Sequence, residues 1–71
     1  MNERELVAGV ESRLREDFPC GAYLPEDRLR SEIVRAEREN DPYLTIKIPS
    51  HSEFELTLAE GRAYLNRYLR G

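Results

Sequence analysis

Residues 43–60, Tyr43-Leu44-Thr45-Ile46-Lys47-Ile48-Pro49-Ser50-His51-Ser52-Glu53-Phe54-Glu55-Leu56-Thr57-Leu58-Ala59-Glu60, change their apolar period part-way and so decide the fold. Inward and outward residue types alternate over 43–48 and again over 53–58, which is strand spacing. Pro49-Ser50-His51-Ser52 between them is turn chemistry. At Thr57 the spacing becomes helical, and a threonine followed three residues later by Glu60 is the capping-box signature of a helix start. The stretch reads as a β-hairpin feeding a helix.

Leu44, Ile46 and Ile48 must share a face with Phe54, Leu56 and, at the end, Leu58. Two registers allow this, one with Ile46 opposite Leu56 and one with Ile46 opposite Phe54. Each sets Lys47 against a glutamate (Glu55 or Glu53), so cross-strand charge does not choose. The shorter loop, Pro49-Ser50-His51, favours the second.

Two helices are expected ahead of the hairpin. Asn2 is suited to an N-cap, with Glu3 and Glu5 in the first turn where the helix dipole favours acid. Leu6, Val10, Leu14 and Phe18 recur every four residues with Val7 beside them, giving a helix over 3–17 that stops before Pro19. Pro25, followed by Glu26 and Asp27, opens a second helix over 25–39. Its inward stripe is Leu29, Ile33 and Ala36, with Val34 on the flank, and Asn40-Asp41-Pro42 ends it. The third helix is expected over 58–70, with Leu58, Leu65 and Leu69 near one stripe, Tyr64 and Tyr68 adjacent, and Gly71 as its terminal cap. Gly61 weakens that helix by about 1 kcal/mol relative to alanine. The fold class is therefore α+β, one small domain ordered α-α-β-β-α, without repeat, linker or low-complexity segment.

A 71-residue chain makes one domain. Such a domain buries only roughly 60% of the surface its unfolded chain exposes, so further burial against a partner or a second copy is favourable. A two-stranded sheet is itself marginal and has two edges to satisfy. An edge-to-edge homodimer or a strand added from another protein would do so. Apolar residues at 39% and charged residues at 35% describe a soluble domain. No apolar run approaches the ~18 residues of a membrane span, and the charged N-terminus lacks a signal core. With a single cysteine, Cys20, no internal disulfide is expected, and the location expected is cytoplasmic.

The net charge of −3 is distributed as −4 over 1–42 and +1 over 43–71. That balance argues against a general electrostatic grip on nucleic acid. A winged DNA-binding domain places three helices before its wing, whereas two are expected here. The second of them carries Glu26, Asp27, Glu32, Glu37 and Glu39 against four arginines.

Candidate chemistry is sparse. His51, between Ser50 and Ser52, lies in a tight turn where neighbouring residues do not reach the geometry of a nucleophilic dyad, and reads as a solvated turn residue. Cys20 follows the end of the first helix, where the dipole disfavours a thiolate. One Cys and one His do not build a zinc site, no calcium-loop spacing occurs, and the four glycines are scattered rather than gathered into a phosphate loop. No catalytic, metal or cofactor residues are assigned. The remaining signal is an Arg/Tyr face on the third helix, Arg62, Tyr64, Arg67, Tyr68 and Arg70, since both residue types are enriched at interfaces. The function expected is a non-enzymatic binding module that acts as regulator, adaptor or accessory subunit through protein contacts, with homodimerisation available to it. The alternative is a nucleic-acid-associated regulator using the same face or the hairpin.

Overall fold

A computed structural model describes residues 2–19, 21 and 23–69. Helix α1 spans Glu3–Asp17, and the Asn2 side chain accepts the Glu5 N–H at 2.9 Å, so the cap named from sequence is formed. Helix α2 spans Glu26–Glu39, with Pro25 as the residue before it rather than its first turn. Asn40 ends α2 in the left-handed region at φ 55°. Its N–H reaches the Glu37 carbonyl and the Asp41 N–H reaches that of Ala36, the paired bonds of a Schellman cap.

Strands β1 (Tyr43–Lys47) and β2 (Glu53–Thr57) pair antiparallel with Ile46 opposite Phe54 and Lys47 opposite Glu53. This is the register with the three-residue loop. Ile48 continues the pairing by donating to the Ser52 carbonyl, and the His51 N–H closes the turn on the Ile48 carbonyl at 2.9 Å. Thr57 then caps α3 (Leu58–Tyr64): its hydroxyl accepts the Glu60 N–H at 3.1 Å, and the Glu60 carboxylate accepts the Thr57 N–H at 2.7 Å. The third helix was expected to be regular to 70. Instead it widens into a π-helical turn at Leu65–Leu69. Arg70, Gly71 and Cys20, with the readings attached to them, lie outside the described residues, as does the side chain of Leu69.

The three helices pack on one face of the hairpin and enclose one core. Leu24, Leu29, Leu44, Ile46 and Phe54 are its most enclosed large side chains. The other face, carrying Tyr43, Thr45, Lys47, Glu53 and Glu55, is exposed. Gly61 has a packing role that its helix propensity does not convey. A Cβ built there would fall inside the van der Waals shell of Leu44 Cδ1 and 3.4 Å from Leu29 Cδ1, so the glycine lets α3 approach β1 and α2 closely.

The sheet edges, expected to be open, are occupied in part. In the observed register the main-chain groups of Tyr43, Thr45, Lys47, Glu53, Glu55 and Thr57 point away from the ladder. On the β1 side, Glu32 accepts the Thr45 N–H at 3.1 Å, Asp41 accepts the Tyr43 N–H at 3.0 Å, and Arg35 donates to the Tyr43 carbonyl at 3.2 Å. On the β2 side, Arg13 of α1 donates to the Glu55 carbonyl, and Glu60 takes the Thr57 N–H. Charged side chains of the helices and of Asp41 occupy part of the places a third strand would take.

Candidate functional site

The capping box sets the rotation of α3, and that rotation divides its Arg/Tyr residues. Gly61, Ala63 and Tyr64 turn inward. Tyr64 is 7% exposed and belongs to the core, so it stands behind the surface rather than on it. Burial pushes its phenol above the ordinary value, while the Leu24 backbone pulls the other way and the Glu11 charge adds to the rise.

Tyr68, one turn later, is 49% exposed. The π-helical turn admits an extra residue and rotates Tyr68 away from the core beneath Tyr64. The two rings remain neighbours, with centroids 5.2 Å apart and a tilt of 59°. The Tyr68 hydroxyl donates to Glu11 Oε2 at 2.7 Å, tying the end of the chain to α1. Arg67 places its guanidinium carbon 6.0 Å from the Tyr68 ring centroid, at the outer limit of a cation–π contact. Arg62 is exposed and ion-paired with Glu37 of α2. Of the five residues singled out from sequence, Arg67 and Tyr68 form one exposed patch with Glu11, Arg62 sits beside α2, Tyr64 is internal, and Arg70 is outside the described residues.

Glu11 had no signal in the sequence that set it apart from other helix-surface acids. The patch combines an aromatic ring with charges of both signs. Glu37 offsets Arg62 and Glu11 lies against Tyr68, so the face lacks the uniform positive potential that phosphates select.

Two other features escaped the sequence reading. Tyr23, 75% exposed, borders a cleft of about 200 Å³ with Gly21, Pro25, Ile48, Pro49 and His51. The exposed His51 leans its ring on Phe18, centroids 5.0 Å apart, which fixes the hairpin tip to the end of α1. The second feature is an ion cluster at the end of α2. Arg35 holds Glu32 through two bonds of 2.8 and 3.0 Å, Glu39 at 3.0 Å and Asp41 at 3.1 Å. Glu32 and Arg35, or Arg35 and Glu39, are readable from helical spacing; Asp41 and the strand are not.

Among the described residues no group of three or more His, Cys, Asp or Glu side chains is arranged to hold a metal ion, and no helix is long and apolar enough to cross a membrane. Comparison with protein-family models, curated proteins and solved structures finds no match.

Proposed function

We propose that the chain is a small non-enzymatic binding module, a cytoplasmic regulator, adaptor or accessory subunit that acts through protein–protein contact at Tyr68 and Arg67. The observation that carries this reading is that Tyr68 is half-exposed yet held in place, by Glu11 at 2.7 Å and by packing on Tyr64. An aromatic anchor already oriented before binding loses little freedom on contact, which is how a few residues come to dominate an interface. Its position in a π-helical turn, a rare conformation found often at functional sites, supports the same assignment.

The test is affinity capture of the tagged protein from lysate of its source, with and without nuclease, repeated with Tyr68→Ala and Arg67→Glu. A protein retained after nuclease by the wild type and lost by both variants supports the reading. Equal retention by both variants removes this face from the interface, and capture that disappears with nuclease replaces the reading with the nucleic-acid one.

A further inference from the structure

We propose that Glu32 and Arg35 act as a plug on the outer edge of β1, and that the strand they keep out is β1 of a second copy of this chain. The plug is built into the main chain. Glu32 Oε2 takes the Thr45 N–H and Arg35 Nη2 donates to the Tyr43 carbonyl, so an incoming strand would meet an edge already bonded. Arg35 is itself fixed by Glu32, Glu39 and Asp41, which makes the plug a held structure. Charged side chains on an edge are a known means of preventing strand addition.

The identity of the excluded strand follows from register and charge. An antiparallel pair of β1 strands centred on Thr45 sets Thr45 opposite its own copy, Tyr43 opposite Lys47, and Leu44 opposite Ile46. Thr45 has its main-chain groups pointing outward, so the centre of such a pair is hydrogen-bonded. The inner face then joins apolar to apolar, and the outer face sets an aromatic ring against a cation with no like charges opposed. The same operation on β2, centred on Glu55, opposes two glutamates. Space is present as well: a cleft of about 350 Å³ runs between α2 and the Lys47 end of β1. The β1 edge therefore favours self-pairing once the plug is removed.

Glu32→Ala frees the Thr45 N–H while leaving Arg35 its partners at Glu39, Asp41 and Tyr43; Glu32→Ala/Arg35→Ala frees the Tyr43 carbonyl as well, with Asp41 still on the Tyr43 N–H. Sedimentation equilibrium of both variants, with circular dichroism to verify folding, reads the outcome. The expected result is a wild type with the mass of one chain and variants whose mass doubles with concentration, the double variant associating at least tenfold more tightly than the single. Adding Thr45→Pro to Glu32→Ala places a proline where the N–H faces outward and returns the mass to one chain. A folded Glu32→Ala/Arg35→Ala that remains monomeric at millimolar concentration overturns the proposal, and Glu32→Ala/Arg35→Met, which keeps an apolar stem at position 35, decides the matter if that variant does not fold. Persistence of the dimer with Thr45→Pro overturns it too, as does a wild type that already pairs through this edge.

Discussion

Gly61 of α3 lies directly against Leu44 of β1, with no room between them for a methyl group. Leu44 is fully buried, so its side chain has little freedom to withdraw. Helix propensity alone favours alanine at this position by about 1 kcal/mol, whereas overpacking of a core costs about 1–3 kcal/mol. Gly61→Ala is expected to destabilise the protein by ~1 kcal/mol in urea unfolding. A stabilised variant would show that the propensity outweighs the contact.

The cluster at the end of α2 makes stability sensitive to acid. Hydrogen bonds from Arg35, joined by the Thr45 N–H, hold the Glu32 carboxyl below its ordinary 4.5 against the opposing effect of burial. The Tyr43 N–H and then Arg35 hold Asp41 below 3.8. Both folded values are depressed, so their contribution is complete above about pH 4.5 and is lost as pH falls through the folded values. Arg35 remains charged throughout. Unfolding midpoints measured across the acid range are expected to fall more steeply for the wild type than for Arg35→Ala. Parallel profiles would deny the cluster a role in stability.

Ser50 occupies the left-handed region at φ 67° behind Pro49, the arrangement of a type II turn with proline first. A glycine there relieves about 1–2 kcal/mol of Cβ strain and loses about 0.5–1 kcal/mol to its freer unfolded chain. Ser50→Gly is expected to stabilise the protein by ~0.5–1 kcal/mol and raise Tm by several degrees, at roughly 4–8 °C per kcal/mol for a domain of this size. An unchanged or lowered Tm would place the serine hydroxyl in a compensating role.

Tyr64 and Tyr68 are four residues apart, yet their truncations should differ. Tyr64→Ala leaves a cavity beside Leu24 and is expected to cost about 3–5 kcal/mol. Tyr68→Ala removes an exposed ring and an exposed bond to Glu11, with an expected loss below about 1 kcal/mol. Thermal unfolding of the two variants makes the comparison. Similar losses would mean that Tyr68 supports the fold rather than a partner.

The amino-acid sequence alone determined what depends on neighbours along the chain. The Asn2 cap, the Thr57–Glu60 capping box, the end of α2 at Asn40 and the alternation of both strands are local, so their residue types can be read directly. The loop length also favoured the observed register. Tertiary structure decided the rest, because it depends on which distant groups meet. Helical spacing placed Tyr64 and Tyr68 on one face, but only packing against Leu24 and α1 buried one and exposed the other through a π-helical turn. Propensity marked Gly61 as a weakness, while the approach of Leu44 made a small residue necessary. Two unpaired sheet edges followed from counting strands. Arg13, Glu32 and Arg35 occupy part of each edge from helices up to 42 residues away in sequence, a relation that no local pattern records.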